Sequence, residues 1–178
     1  MNNIAITIKN LVSSLLKENV IPTDAEQTIN EIHKLFQDTT DITGFDSKLE
    51  HLAAVPTSKG IALGLNHAAQ CLLDYKRTVK FLKAMVTAIK DEQAKHPGEL
   101  ISIFYAGCGP YAPFVNLIAP LFSADDIQFS VLEINENSLS AAKKLIDSLE
   151  LTHYVKEYHL ADAVTFKVPN AESYHILF

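Results

Sequence analysis

The N-terminal stretch MNNIAITIKNLVSSLLKEN places Ile4, Ile8, Leu11 and Leu15 at intervals of three and four. That is the spacing of one face of an amphipathic helix. Pro22, Thr23 and Asp24 stop and restart the pattern, with Thr23 or Asp24 as the N-cap of a second helix over AEQTINEIHKLFQDT. Ile29, Ile32, Leu35 and Phe36 give this helix its apolar side. DTTDITGFD and VPTSKG read as loops, and a third helical pattern runs from about Leu65 to Lys95, where HPG ends it.

At about 100° per residue the faces of this third helix can be separated. Lys76, Lys80, Lys83 and Lys90 fall in one narrow wet stripe, while Cys71, Tyr75, Leu82, Val86 and Ile89 line a core side. Asp74, Arg77 and Phe81 form a third face, off the lysine stripe.

From Glu99 onward the period changes. LISIFYA, IQFSVLEI and YVKEYHLADA read as strands, and YHILF as the beginning of a fourth. Between them stand an apolar helix over about Ala112 to Phe122 and a helix in SLSAAKKLIDSLEL with Asn137 or Ser138 as cap. Alternating strands and helices predict right-handed crossovers and a parallel, doubly wound Rossmann-like sheet. The expected organisation is α/β: a helical N-terminal region over residues 1–96, on the lid and acceptor side, and a cofactor-binding sheet domain over 97–178. The last residues, HILF, stop inside a buried-looking strand. We therefore expect either a fragment of a longer chain or a half-sheet completed by a partner or a second copy.

Composition narrows the classes. Of the 178 residues 48% are hydrophobic and 20% charged, which is ordinary for a soluble globular chain. The net charge is −6 with dispersed lysines, so neither nucleic acid nor an anionic membrane is an expected partner. The N-terminus lacks the basic head and cleavage site of a signal peptide, and no apolar run suits a bilayer span. Cys71 and Cys108 lie far apart, so a reduced, cytoplasmic protein is expected. The seven histidines show no ligand spacing, and no metal site is expected. Fourteen of the fifteen basic residues are lysine; the single arginine, Arg77, suggests a position that needs a planar, bidentate cation.

Candidate chemistry centres on FYAGCGPYAPF, residues 104–114. Here a strand ends in Gly-x-Gly and opens a helix, a turn that brings bare backbone close to a ligand and aims free N–H groups at it. Glu133 ends the second strand, where a carboxylate can accept from ribose hydroxyls. Asp162 follows the third, where one can accept from an adenine amino group. Three such features at the carboxyl ends of successive parallel strands converge on one crevice.

On these residues the segment from about 99 to 178 resembles the front half of a class I S-adenosylmethionine-dependent methyltransferase. FYAGCGP matches the family's first motif, Glu133 its second-strand acid, and Asp162 with Ala163 its third-strand "DA". The resemblance implies S-adenosylmethionine as cofactor, with Gly107 and Gly109 under its methionine part and Tyr105, Ala106 and Cys108 among its other contacts. It further implies Glu133 on the ribose and Asp162 with Ala163 beside the adenine. LLDYKRTVKFLKAM is similar to the helix preceding this motif in protein arginine methyltransferases, which implies Arg77 on the cofactor carboxylate and Asp74 orienting Arg77.

Two positions depart from the family: Tyr105 stands where Asp or Glu usually holds the cofactor amine, and Tyr111 replaces a third glycine. Recognition of the amine then falls to a backbone carbonyl, to Tyr105 or Tyr111, or does not occur. No catalytic residue is assigned, and a small-molecule acceptor is expected. Three other readings stay open. GCGPYA also fits a dinucleotide fingerprint, hence an NAD-dependent oxidoreductase. AGCGPYAPF with a helical front resembles nicotianamine-synthase-like aminocarboxypropyl transferases. A non-catalytic assembly module could keep the same fold.

Overall fold

The computed structural model describes residues 3–178. Helix α1 spans Asn3–Leu15 and buries Ala5, Ile8, Val12 and Leu15. Its buried face is turned by one residue from the expected one, leaving Ile4 exposed and Leu11 half-buried. Helix α2, Pro22–Thr40, starts three residues before the expected first residue, Ala25. Its N-cap is Ile21, whose side chain cannot cap, and Pro22 opens the first turn. A proline lacks only an N–H that would be orphaned there anyway. Neither Thr23 nor Asp24 is the N-cap, although Asp24 lies in the first turn.

A short helix α3, Leu49–Leu52, leads into two three-residue antiparallel strands, β1 (Val55–Thr57) and β2 (Gly60–Ala62). VPTSKG is thus the first strand, the tip and the first residue of the second strand of a hairpin rather than a plain loop. The expected single helix over 65–95 is broken. Helix α4 covers Leu65–Gln70, a 3₁₀ turn covers Cys71–Leu73, and α5 covers Tyr75–Lys95. The break has a local cause: the Asp74 carboxylate accepts from the Arg77 amide at 3.1 Å, so Asp74 is the N-cap of α5.

The remainder alternates as expected. β3 (Ile101–Ala106), α6 (Pro113–Ile118), β4 (Ile127–Glu133), α7 (Glu136–Ser148), β5 (Val155–Leu160) and the two-residue β6 (Ile176–Leu177) follow in order. The cap of α7 is Asn135, which accepts from the Ser138 amide at 3.1 Å, not Asn137 or Ser138. The sheet is fully parallel with order β5-β4-β3-β6. Winding therefore runs outward from β3 through β4 to β5 and reverses at β6. The switch point lies at the carboxyl end of β3, where ligands bind in such sheets.

Alternation sorts the faces of the sheet. Ile101, Ile103 and Tyr105 of β3, with Ile127, Phe129 and Val131 of β4, join the buried residues of α1, α2, α5 and α7 in one hydrophobic cluster. Across the sheet, Phe104 stacks on Phe166 at 6.0 Å and meets Tyr174 edge-on at 5.4 Å, so the 161–175 connection covers that face.

Candidate functional site

The glycine turn follows β3 directly. Gly107 and Gly109 have φ of +71° and +64°, in the left-handed region where a Cβ is costly. The turn's own amides are not free, contrary to the expectation of outward-pointing donors. The Gly107 and Cys108 N–H groups donate to the Leu132 carbonyl at 2.7 and 3.1 Å. The Gly109 N–H donates to Glu133 Oε2 at 2.7 Å. Glu133 Oε1 accepts from the amides of Ile134 and Asn135 at 2.9 and 3.0 Å. Glu133 is buried; its bond from the Gly109 N–H ties the end of β4 to the turn, and its other oxygen holds the two amides that directly follow it. A carboxylate so placed retains lone pairs for a further donor on Oε2.

Two cavities meet at this turn. One of about 420 Å³ is bounded by Cys71, Leu72, Arg77, Thr78 and Phe81 from the helical side and by Tyr105 to Pro110, Phe114 and Phe178 from the sheet side. The other, of about 440 Å³, is bounded by Leu132, Glu133, Ile134 and residues 161–164 on one side and by the β1–β2 hairpin on the other. Leu63, Ala68, Gly107 and Gly109 line both. The expected site residues other than Asp74 therefore fall along one crevice at the switch point. Arg77, Tyr105, Ala106 and Cys108 stand at one end, Glu133, Asp162 and Ala163 at the other, and the two glycines between.

Arg77 is exposed, and its Nη2 donates to the Cys71 carbonyl at 3.0 Å. A guanidinium has five N–H donors, so most of its fork remains available. Asp74 lies outside both linings and caps the Arg77 backbone amide rather than its guanidinium. It positions Arg77 by starting the helix that carries it.

The two tyrosines separate. Tyr105 is buried, stacks on Phe178 with ring centroids 4.5 Å apart, and its hydroxyl donates to the Cys108 carbonyl at 3.4 Å. Burial pushes its pKa well up. It thus enters the cavity as a neutral phenol where an acid was expected from the family pattern. Tyr111 turns its hydroxyl away, onto the Ile42 carbonyl at 2.5 Å, and packs on His33 and Phe36. That contact locks the helical region to the turn, so Tyr111 is not available to a ligand amine. Burial also raises the Cys108 thiol's pKa, which leaves no thiolate nucleophile in the turn.

The sequence did not point to the hairpin, Leu63 or Ala68. The one signal in reach was the Ser-Lys-Gly turn between short apolar stretches, too brief to show a period of two. It also gave no hint that His96, Glu99 and His175 would converge, with ligand atoms all within 4.8 Å of one another. The Ser102 amide donates to His175 Nδ1 at 3.0 Å. The neutral ring then carries its proton on Nε2, and neither nitrogen offers a free lone pair to a metal.

No family model matches the chain. No curated protein matches it either. Among solved structures, the N-terminal domain of human METTL16 is 14% identical with a TM-score of 0.39, covering 80% of this chain and 55% of that one. A second METTL16 MTase domain structure is 14% identical with a TM-score of 0.38, covering 82% and 56%. The chain spans about half the length of the solved domains it matches.

Proposed function

We propose that the chain binds S-adenosylmethionine along the switch-point crevice and transfers its methyl group to a small-molecule acceptor. One observation carries this reading: the glycine turn stands between two cavities that share four lining residues, with the single arginine at one end and two strand-end carboxylates at the other. An amino acid joined to a nucleoside has this polarity. Arg77 takes the carboxylate, Glu133 Oε2 accepts from a ribose hydroxyl, and Asp162 accepts from the adenine amino group. The fit extends to the turn, since a Cβ on Gly107 would meet nothing within 4 Å and would point into open space. The bound group supplies an activated methyl on a sulfonium. The residues around it orient and desolvate: Phe81, Phe114 and Tyr105 wall the arginine end, and among the described residues no Asp or Glu lines the cavity there.

The dinucleotide reading fits less well. A pyrophosphate cradle needs unpaired amides at the glycine turn. Here the Gly107, Cys108 and Gly109 amides are already donated, and Pro110 has none. The net charge of −6 favours a small acceptor over a nucleic-acid backbone.

Isothermal calorimetry with S-adenosylmethionine, S-adenosylhomocysteine and NAD tests the assignment. Both sulfur ligands are expected to bind and NAD is not. Arg77→Lys should weaken the sulfur ligands by about tenfold or more through loss of the bidentate pair. Binding of NAD alone, or full affinity in Arg77→Lys, would overturn it.

A further inference from the structure

Asp162 already has a partner. Its Oδ1 accepts from the Val164 amide at 2.8 Å, and its carbonyl accepts from the amides of Thr165 and Phe166, which fixes the turn after β5. Its Oδ2 accepts from the Ser58 amide at 3.2 Å and the Ser58 hydroxyl at 3.4 Å. Ser58 is the tip of the β1–β2 hairpin, 104 residues away in sequence. The hairpin roofs the carboxylate end of the crevice with Thr57, Lys59, Gly60, Ile61 and Ala62.

Little else holds this roof. None of residues 55–62 is buried, and Ile61 is 77% exposed. The two strands have three residues each, a length at which an isolated hairpin is marginal in water. Among the described residues, the hairpin's hydrogen bonds to the sheet half of the molecule are the two from Ser58 to Asp162. An oxygen of an ionised carboxylate has about two lone-pair sites. Ser58 fills both on Oδ2, so a ligand amino group approaching that oxygen must take the place of a Ser58 donor.

We propose that the β1–β2 hairpin is a flap over the purine end of the crevice, latched by Ser58 on Asp162, and that a purine amino group releases it by taking Asp162 Oδ2. This rests on the cofactor reading above for the identity of the purine. The latch itself, Ser58 on Asp162, does not depend on that identity. Cofactor entry and flap opening are then linked, because one carboxylate oxygen serves both.

Ser58→Ala in the full 178-residue chain removes the hydroxyl latch at an exposed turn without disturbing the core. Two measurements read it: hydrogen exchange of the 55–62 amides without ligand, and calorimetric affinity for S-adenosylhomocysteine and S-inosylhomocysteine. The latter ligand carries a carbonyl in place of the amino group. Loss of one net hydrogen bond should speed hairpin exchange by about threefold to tenfold. Affinity for S-adenosylhomocysteine should rise by up to the same factor, and that for S-inosylhomocysteine should not. Unchanged exchange overturns the latch whatever binds. An equal gain for both ligands, or no gain for S-adenosylhomocysteine, overturns the competition at Oδ2. If neither chain binds S-adenosylhomocysteine yet exchange is faster in the variant, the cofactor reading fails and the latch stands.

Discussion

Glu133 offers the sharpest test of how the crevice is built. Its two oxygens serve three backbone amides: Gly109 at 2.7 Å on Oε2, and Ile134 and Asn135 at 2.9 and 3.0 Å on Oε1. Glu133→Gln keeps the shape and exchanges one oxygen for an NH₂. With the amide oxygen at the Oε1 position, the Ile134 and Asn135 bonds survive and the NH₂ faces the Gly109 N–H, donor against donor. The flipped rotamer forfeits two bonds to save one, so the first arrangement is favoured. The variant therefore loses one short charge-assisted bond and orphans one partly buried donor, a cost of about 1–3 kcal/mol. Against a total stability of roughly 5–15 kcal/mol this is readily measured. Equilibrium urea unfolding of the ligand-free chain should show a lower midpoint at unchanged slope, and Glu133→Ala should fall further, having lost all three bonds. A Glu133→Gln chain within about 0.5 kcal/mol of the parent, a change typical of an inconsequential surface substitution, would refute the staple. The measurement needs no ligand, so it is separate from any role of Glu133 towards ribose.

Other consequences can be measured alongside. Gly107→Ala forces a Cβ into a φ of +71° and into the cavity mouth; urea unfolding should show a loss of about 1–2 kcal/mol, and S-adenosylhomocysteine binding should fall by more than that loss explains. His33 is buried beside Tyr111 and Phe45, and desolvation lowers its pKa from the ordinary 6.5. The unfolded chain then binds the proton more readily than the folded one, so this group's contribution is fully present above pH 6.5 and is lost as pH falls towards and through the lowered folded value. Thermal melts from pH 7.5 to 5 should show a steeper acid-side decline in the parent than in His33→Gln, and parallel profiles would refute the assignment.

Among the described residues, no helix is long and apolar enough to cross a membrane. That agrees with the absence of a long apolar run in the sequence.

Much of the sheet half was legible because its elements are long enough to carry a period. Strands β3 and β4 read as apolar runs, the more polar β5 follows them in the same alternation, α7 repeats apolar residues at three and four, and Gly107 and Gly109 mark the turn after β3. Connectivity alone then places the carboxyl ends of the strands together, which is why Glu133, Asp162 and the glycines could be assigned to one crevice from order in the chain. Arg77 was legible for a different reason, as the one guanidinium in a lysine-rich chain.

What tertiary structure decided is where each polar group finds its partner. Periodicity reports which face is buried, but not which of several nearby donors a carboxylate will take. Asp74 stops a helix that propensity would have carried through, Glu133 spends its oxygens on three amides, and Tyr111 turns to a carbonyl 69 residues away. The hairpin escapes notice because three-residue strands have too few alternations to register, and its Ser58 meets Asp162 only once the sheet has formed. The sequence by itself determined the order and period of the elements, and so the ligand-binding edge of the sheet. Folding decided which hydrogen bonds close that edge, because those partners lie far apart in the chain and compete with water until packing brings them together.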